Sequence, residues 1–334
     1  MKIGGNANYV ADVTSTGELQ HVYQNSKKIG QPIYVIGGGS NLIAHDEGFP
    51  GLIIHNAIMG IKVIDDNPTS TTIEAGSGES WDKLVKYTVD LGLSGIESMS
   101  GIPGTVGAAP VQNIGAYGQE LADTFVSLEA YDTTNDNLVT LLWEDCGFSY
   151  RNSIFRGAAT GRYIITRVTL TLQKKHPEPP YYDALEKYFT SHGIDPTTAT
   201  VQIIRNAVLD IRQNKLPDPA QLPNTGSFFK NAIVEKWKAE DLLKIYDNMP
   251  TYPVDDEHVK IPAGWLIETA ELKGEVLHGM KVHDGNAVVL INQSATGYAD
   301  LAAAREEIIS VIRDKFQIVL EQEPLELSPP FSKT

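Results

Sequence analysis

The sequence predicts an α+β protein of two or three domains. Three observations carry that prediction. Early in the chain, short apolar runs and a helical stretch follow one another in a βαβ-like order. Further on, three segments alternate apolar and polar residues as antiparallel strands do. Late in the chain an amphipathic helix follows a loop-rich stretch. With 334 residues and 42% hydrophobic content, a substantial core can be buried.

Taken in order, Val22–Ile29 reads as a short helix and Pro32–Ile36 as a buried strand entering a glycine turn. Leu52–His55 and Thr71–Ala75 are further strands. Ser80 is placed to cap a helix. Behind it Trp81, Leu84, Val85 and Thr88 share one stripe, which ends at Gly92. Ser127–Tyr131, Leu138–Trp143 and Tyr163–Leu172 are the alternating strands, and the proline-rich Lys174–Pro180 is a connector. Val201–Gln213 is helical, LPDPAQLPNTG a loop, Ala239–Tyr246 a short helix and Val288–Asn292 a buried strand. Asp300–Phe316 is the amphipathic helix, with Leu301, Ala304, Ile308 and Ile312 on one face. Composition shifts near Asp65–Asn67 and Lys215–Pro223 mark the expected domain boundaries.

Charge narrows the partners. A net charge of −15 argues against broad binding to nucleic acid or anionic membranes. An anionic ligand then needs a local cluster of Arg and Lys. A single cysteine, Cys146, excludes an internal disulfide framework and a cysteine-based zinc site, and is expected to be a buried structural residue. No HxxxH or comparable spacing occurs among the histidines, so no metal is expected. With no signal-peptide pattern and no apolar run approaching about 18 residues, a cytoplasmic protein without membrane contact is expected.

Two glycine-rich stretches stand out. In YVIGGGSN an apolar run ends abruptly in Gly37, Gly38 and Gly39, followed by Ser40 and Asn41. Without side chains, amide N–H groups can close on phosphate oxygens. The spacing is neither GxGxxG nor GxxxxGK[ST], and an ordinary turn between strands fits the triplet as well. Gly95–Gly118 is dense in glycine, alanine and proline yet keeps Ile and Val, as an ordered ligand-lining loop does.

Four later clusters could carry chemistry: Tyr150–Ser153, with Arg151; Arg212 and Lys215 at a helix end; NTGSFFKN, with Ser227; and Glu321–Glu323. Each alone also reads as surface or structure. No GxSxG elbow surrounds Ser227, which argues against a hydrolase nucleophile. His45, just past the glycine turn, is expected at the surface, with a flavin contact as the alternative.

In order along the chain, IGG, YVIGGGSN, GIPGTVGAAPVQNIGAYG, YRNSIF, RxxKLPDP, NTGSFFKN, AGWLIE, LKG, VLIN and LExE resemble the UDP-N-acetylenolpyruvoylglucosamine reductase family of bacterial cell-wall precursor synthesis. The ordered set covers almost the whole chain. The Tyr182 segment resembles the family's longer, type I form. The resemblance implies a vanillyl-alcohol-oxidase-type FAD-binding fold in two domains, residues 1–65 with 312–334 and residues 66–214. A third α+β domain, residues 215–311, closes over substrate.

It further implies FAD against Ile36, Gly37, Gly38, Gly39, Ser40 and Asn41, and against Gly101, Ile102, Pro103, Gly104, Gly107, Ala108, Gln112, Ile114, Gly115 and Ala116. NADPH reduces the flavin, whose N5 passes a hydride to C3 of the enolpyruvyl group of UDP-N-acetylglucosamine enolpyruvate, giving UDP-N-acetylmuramate. Negative charge then develops on C2 and the carboxylate, where a fixed cation stabilises it. Arg151 matches the family's arginine in that role, Glu323 the acid that shares it, and Ser227 the general acid that protonates C2. Tyr117, Tyr182, Arg212, Lys215, Asn231 and Asn286 match substrate-binding positions. A monomer is expected.

Three departures bear on flavin tuning. The chain opens at MKIGG, with less sequence before it than the family commonly shows. Ala108 and Ala109 stand where some relatives have serines, and PLEL follows Glu323. A different FAD-dependent oxidoreductase of the same fold would share the glycine loops but has no reason to keep YRNSIF, GSFFKN and LExE together. A non-catalytic FAD module would lose Ser227 and Glu323.

Overall fold

Five strands form the largest sheet, in the order Asn137–Leu142, Phe125–Asp132, Tyr163–Gln173, Ser70–Gly76 and Ile61–Asp66. Every neighbouring pair is antiparallel, with Val168 opposite both Leu128 and Ala75. The computed structural model describes residues 1–327. They fall into two units: one holds Ala7–Gly39 and Pro50–Asn214, the other Met1–Asn6, Ser40–Phe49 and the chain from Lys215 on. Two of the four crossings, after Gly39 and after Asn214, fall within YVIGGGSN and RxxKLPDP, motifs singled out above.

In the first unit, alternation in the strands puts Ile73, Ala75, Leu128, Ala130, Val168 and Leu170 into one core. The Trp81–Asp90 helix lays Trp81, Leu84, Val85 and Val89 on it, and the Trp81 indole donates to the Met99 carbonyl at 3.2 Å. Ser80 occupies the N-cap as expected, but its side chain makes no capping bond. A second sheet orders Ala7–Val13, Phe49–Asn56 and Ile33–Ile36, the last two parallel with Ile33 opposite Leu52. The helix beside it begins at Thr16 rather than Val22. Ser15 accepts the Glu18 amide at 3.2 Å while Glu18 takes the Thr14 N–H and hydroxyl at 2.8 and 2.7 Å, a reciprocal cap that outweighs Gly17. An unforeseen helix, Asp183–His192, packs Leu185 and Phe189 against Ile204 and Val208 of the Val201–Lys215 helix.

Cys146 is fully buried, as expected, and burial with Asp145 nearby pushes its thiol up to about 12. Asp132 is buried at the end of its strand, accepting from the Thr134 and Asn135 amides and from Arg162 Nη2 at 2.8 Å. The Arg162 bonds, ahead of the opposing effect of burial, hold its carboxyl well below the usual range. A depressed folded-state pKa contributes stability above the unfolded value of about 3.9, lost as pH falls through the folded value. Asp132→Asn should therefore melt lower than the native protein at pH 7, with the gap closing as pH drops below about 4. Thermal melts across that range check this; a gap that stays constant contradicts it.

The second unit centres on the Tyr298–Phe316 helix, which buries Leu301, Ala304, Ile308 and Ile312, the face read from sequence, together with Phe316. Phe228, Phe229, Leu266 and Ile267 complete that core. Around it lie two three-stranded sheets, and Leu42–Ala44 runs parallel to Leu325–Leu327. No helix among the described residues is long and apolar enough to cross a membrane.

Candidate functional site

In the first unit the two glycine-rich stretches meet. The strand ending at Ile36 delivers Gly37 against Thr105, where an added Cβ would sit 2.2 Å from the threonine Oγ1. At Gly38 a Cβ would have only the Gly104 Cα nearby, at 3.6 Å, and at Gly39 (φ +65°) nothing within 4 Å. Among the described residues, the Gly38 and Gly39 amides meet no backbone acceptor. Two side-chain-free loops side by side, with N–H groups open, form a cradle that suits a diphosphate. FAD therefore fits the residues present.

Gly37→Ala should force the loops apart. A loss of about 1–3 kcal/mol of stability and weakened FAD binding are expected, as for overpacking elsewhere. Adding Thr105→Ala, which removes the crowding Oγ1 and Cγ2, should recover most of the loss. Titration of flavin-free protein measures both, and no rescue would refute the close-approach argument.

The far end of the long loop is held by the YRNS turn. Ser149 and Asn152 exchange backbone bonds, each 3.1 Å, leaving Tyr150 and Arg151 at the tip. Arg151 has φ +52°, a conformation usually left to Gly or Asn, which fixes the direction of its side chain. Its Nη2 donates to the Gly115 carbonyl at 2.5 Å, and its guanidinium lies 5.2 Å from the Tyr150 ring centre. Three more bonds clamp the same segments: Ser153 Oγ to Val111 O at 2.7 Å, Asn113 Nδ2 to Ser149 O at 3.3 Å, and Arg156 Nη1 to Gln112 Oε1 at 3.0 Å. Asn113 is fully buried with φ +46°, and its Oδ1 accepts the Ala122 amide. Tyr34 lies close to Arg156; burial pushes its phenol up, and the arginine opposes that.

Gly107, Ala108, Ile114 and Ala116 lie along the same loop, with Ala108 inside the short Val106–Gln112 3-10 helix. Next to it, three expected substrate residues converge. The Tyr117 and Tyr182 rings meet edge-on at 5.9 Å, and Arg212 lies beside Tyr117. Burial lifts the Tyr117 phenol and lowers the Arg212 guanidinium, each partly offset by the other's presence. Arg212 thus supplies one cation beside these rings, a partner of the kind an anionic ligand requires in an acidic chain.

In the second unit, Ser227–Lys230 runs between two other segments. The Phe228 amide donates to Val288 O at 2.7 Å, and the Phe228 carbonyl accepts the Glu323 amide at 2.9 Å. Ser227 pairs with Val289, so Glu323 and Ser227 stand one residue apart in register on adjoining segments. Gly226 (φ +75°) precedes the serine, its amide bound to Asn224 Oδ1 at 2.8 Å, and Asn224 also donates to Pro217 O and Leu222 O. Asn286 holds the next turn, its carbonyl accepting the Val289 amide at 3.0 Å. Asn231 caps the Ala263–Thr269 helix through the Ala263 amide at 3.0 Å, and Lys215 ends the Val201–Lys215 helix. Ser40 and Asn41 open the stretch beside this unit's carboxyl-terminal strand, where Asn41 O accepts the Leu325 amide at 3.1 Å. Among the described residues, no group of three or more His, Cys, Asp or Glu is placed to hold a metal.

His45 is partly buried rather than fully exposed, with 16% of its side chain accessible. Its ring stacks on Tyr298 at 3.7 Å and its Nε2 lies 3.0 Å from Glu326, which also takes the Tyr298 hydroxyl and Arg305. A carboxylate 281 positions away draws it in, a pairing no local pattern announces. The sequence reading gave Ser153 no role of its own and passed over Asp82, Asn113, Arg156 and Arg205; of these four, only Asn113 carried a local signal, an Asn ahead of a glycine turn.

Comparison with known proteins agrees with this geometry. Residues 7–141 match the family described as FAD binding domain, and residues 218–326 the one described as UDP-N-acetylenolpyruvoylglucosamine reductase, C-terminal domain. The UDP-N-acetylenolpyruvoylglucosamine reductase of Neisseria gonorrhoeae is 43% identical over 300 residues, covering 89% of this chain and 85% of that protein. That of Dechloromonas aromatica is 41% identical, covering 87% of each. The crystal structure of the Thermus caldophilus reductase shares the fold, with a TM-score of 0.64 at 22% identity over 96% of this chain and 92% of that one. The α+β class and the FAD-binding fold of vanillyl-alcohol-oxidase type expected from the sequence are borne out. The chain belongs to the UDP-N-acetylenolpyruvoylglucosamine reductase family.

Proposed function

We propose that this protein uses NADPH and FAD to reduce the enolpyruvyl group of UDP-N-acetylglucosamine enolpyruvate, giving UDP-N-acetylmuramate for peptidoglycan. It would act in the cytoplasm as a monomer. The observation that most supports this, beyond family membership, is the clamp of the YRNS turn onto the Val111–Gly115 segment. Four hydrogen bonds fix a guanidinium beside the loop proposed to line the flavin.

When bound, FAD supplies the hydride that NADPH delivered to it. The protein's residues do the rest. Gly37–Asn41 and Gly101–Ala116 hold the cofactor, while Tyr117, Tyr182, Arg212, Lys215, Asn231 and Asn286 take the sugar nucleotide. Arg151 faces the substrate carboxylate and stabilises charge as it develops. Glu323 shares that carboxylate and works best protonated, so as not to add a second anion. Ser227 gives its hydroxyl proton to C2. We further propose the three-part division given above, with residues 215–311 closing over substrate.

Anaerobic mixing of NADPH-reduced protein with the enolpyruvyl sugar nucleotide tests the reading. Flavin absorbance should return on mixing and UDP-N-acetylmuramate should form. A reduced flavin that ignores the nucleotide would reject the reading.

A further inference from the structure

Asp82, on the first turn of the Trp81–Asp90 helix, has no part in the chemistry proposed above, yet two other segments converge on it. Its Oδ1 accepts the Gly101 amide at 2.6 Å and Arg205 Nη1 at 2.6 Å, and its Oδ2 accepts Arg205 Nη2 at 2.9 Å. Arg205 is only 7% exposed, so its charge depends on that fork. Two helical turns on, Arg212 lies against the same loop: a Cβ on Gly101 would come within 3.1 Å of Arg212 Nε and 3.0 Å of Leu209 Cδ2. Burial works to raise the Asp82 pKa; the Arg205 bonds, the Gly101 amide and the charge of Arg212 outweigh it and keep the carboxylate ionised.

We infer that Asp82 is a positioning residue that ties the Gly101 end of the flavin-lining loop to the helix carrying Arg212, setting the cofactor and nucleotide contacts in one register. The inference rests on the flavin reading above. An ion pair that serves only folding would use the same fork, so the test must separate cofactor affinity from stability.

Flavin-free full-length protein carrying Arg205→Met, Asp82→Ala, or both would be melted and titrated with FAD. Arg205→Met keeps the Gly101 bond and should keep FAD affinity. Asp82→Ala orphans a buried guanidinium and should lower both melting temperature and affinity. The double variant has no orphaned charge, so it should regain melting temperature yet bind FAD about tenfold or more weakly, the loss expected for one charge-assisted hydrogen bond. With FAD saturating, its KM for the enolpyruvyl nucleotide should rise through Arg212 while reduction by NADPH stays near native. Native FAD affinity in the double variant, or affinity that tracks melting temperature across all three, overturns the inference. Failure of the native protein to bind FAD instead overturns the flavin reading, and this inference with it.

Discussion

Ser227→Ala is expected to leave reduction of the flavin by NADPH nearly unchanged and to slow reoxidation by the enolpyruvyl nucleotide roughly 10²–10⁴-fold, the usual worth of a positioned proton donor. Only the second half-reaction protonates C2. The substitution is also structurally quiet. The Phe228 amide bond to the Val288 carbonyl and the Gly226 amide bond to Asn224 Oδ1 hold the residue on both sides, and the Phe228 and Phe229 side chains are buried. None of these depends on the hydroxyl, so the melting temperature should not move. Stopped-flow measurement of the two half-reactions checks the assignment; an equal loss in both removes Ser227 from the proton-donor role. A solvent isotope effect on reoxidation is expected in the native protein and should grow in the variant as protonation becomes limiting.

The parts of the site legible in the sequence are those in which the backbone itself is the functional group. Gly37–Gly39 read equally as a cradle or as an ordinary turn between strands, and the close approach of Gly37 to Thr105 is what favours the cradle. The Tyr298–Phe316 helix was legible because its buried residues repeat every three to four positions, as any amphipathic helix requires. Arg151 and Ser227 were different. Neither has a local pattern that sets it apart, and both were found only because an ordered set of motifs resembled a family. What stayed hidden was long-range. Asp82 meets Arg205 across 123 positions, and Asn113 meets Ser149 across 36. Charges and amides that pair so far apart leave no periodicity behind. The same holds for His45, which would be exposed were Glu326 and Tyr298 not folded over it.

Arg151→Lys is the second substitution with a large expected effect, although it keeps the charge. The guanidinium donates from Nη2 to the Gly115 carbonyl, and in the proposed reading the same planar fork also engages the substrate carboxylate. An ammonium is a single point and must choose between those partners. The turn adds a second cost, because φ +52° at residue 151 aims the side chain from a fixed origin, and lysine's extra torsions blur that aim. Losing one hydrogen bond to a charged group lowers kcat/KM by roughly 10–100-fold. The loss should fall on reoxidation by the enolpyruvyl nucleotide, because the Asn113, Ser153 and Arg156 bonds still clamp the loop without it. FAD affinity is accordingly expected to stay close to native. Near-native turnover in the lysine variant would mean that charge alone suffices at this position, and a matching fall in FAD affinity would mean that Arg151 supports the loop rather than the substrate carboxylate.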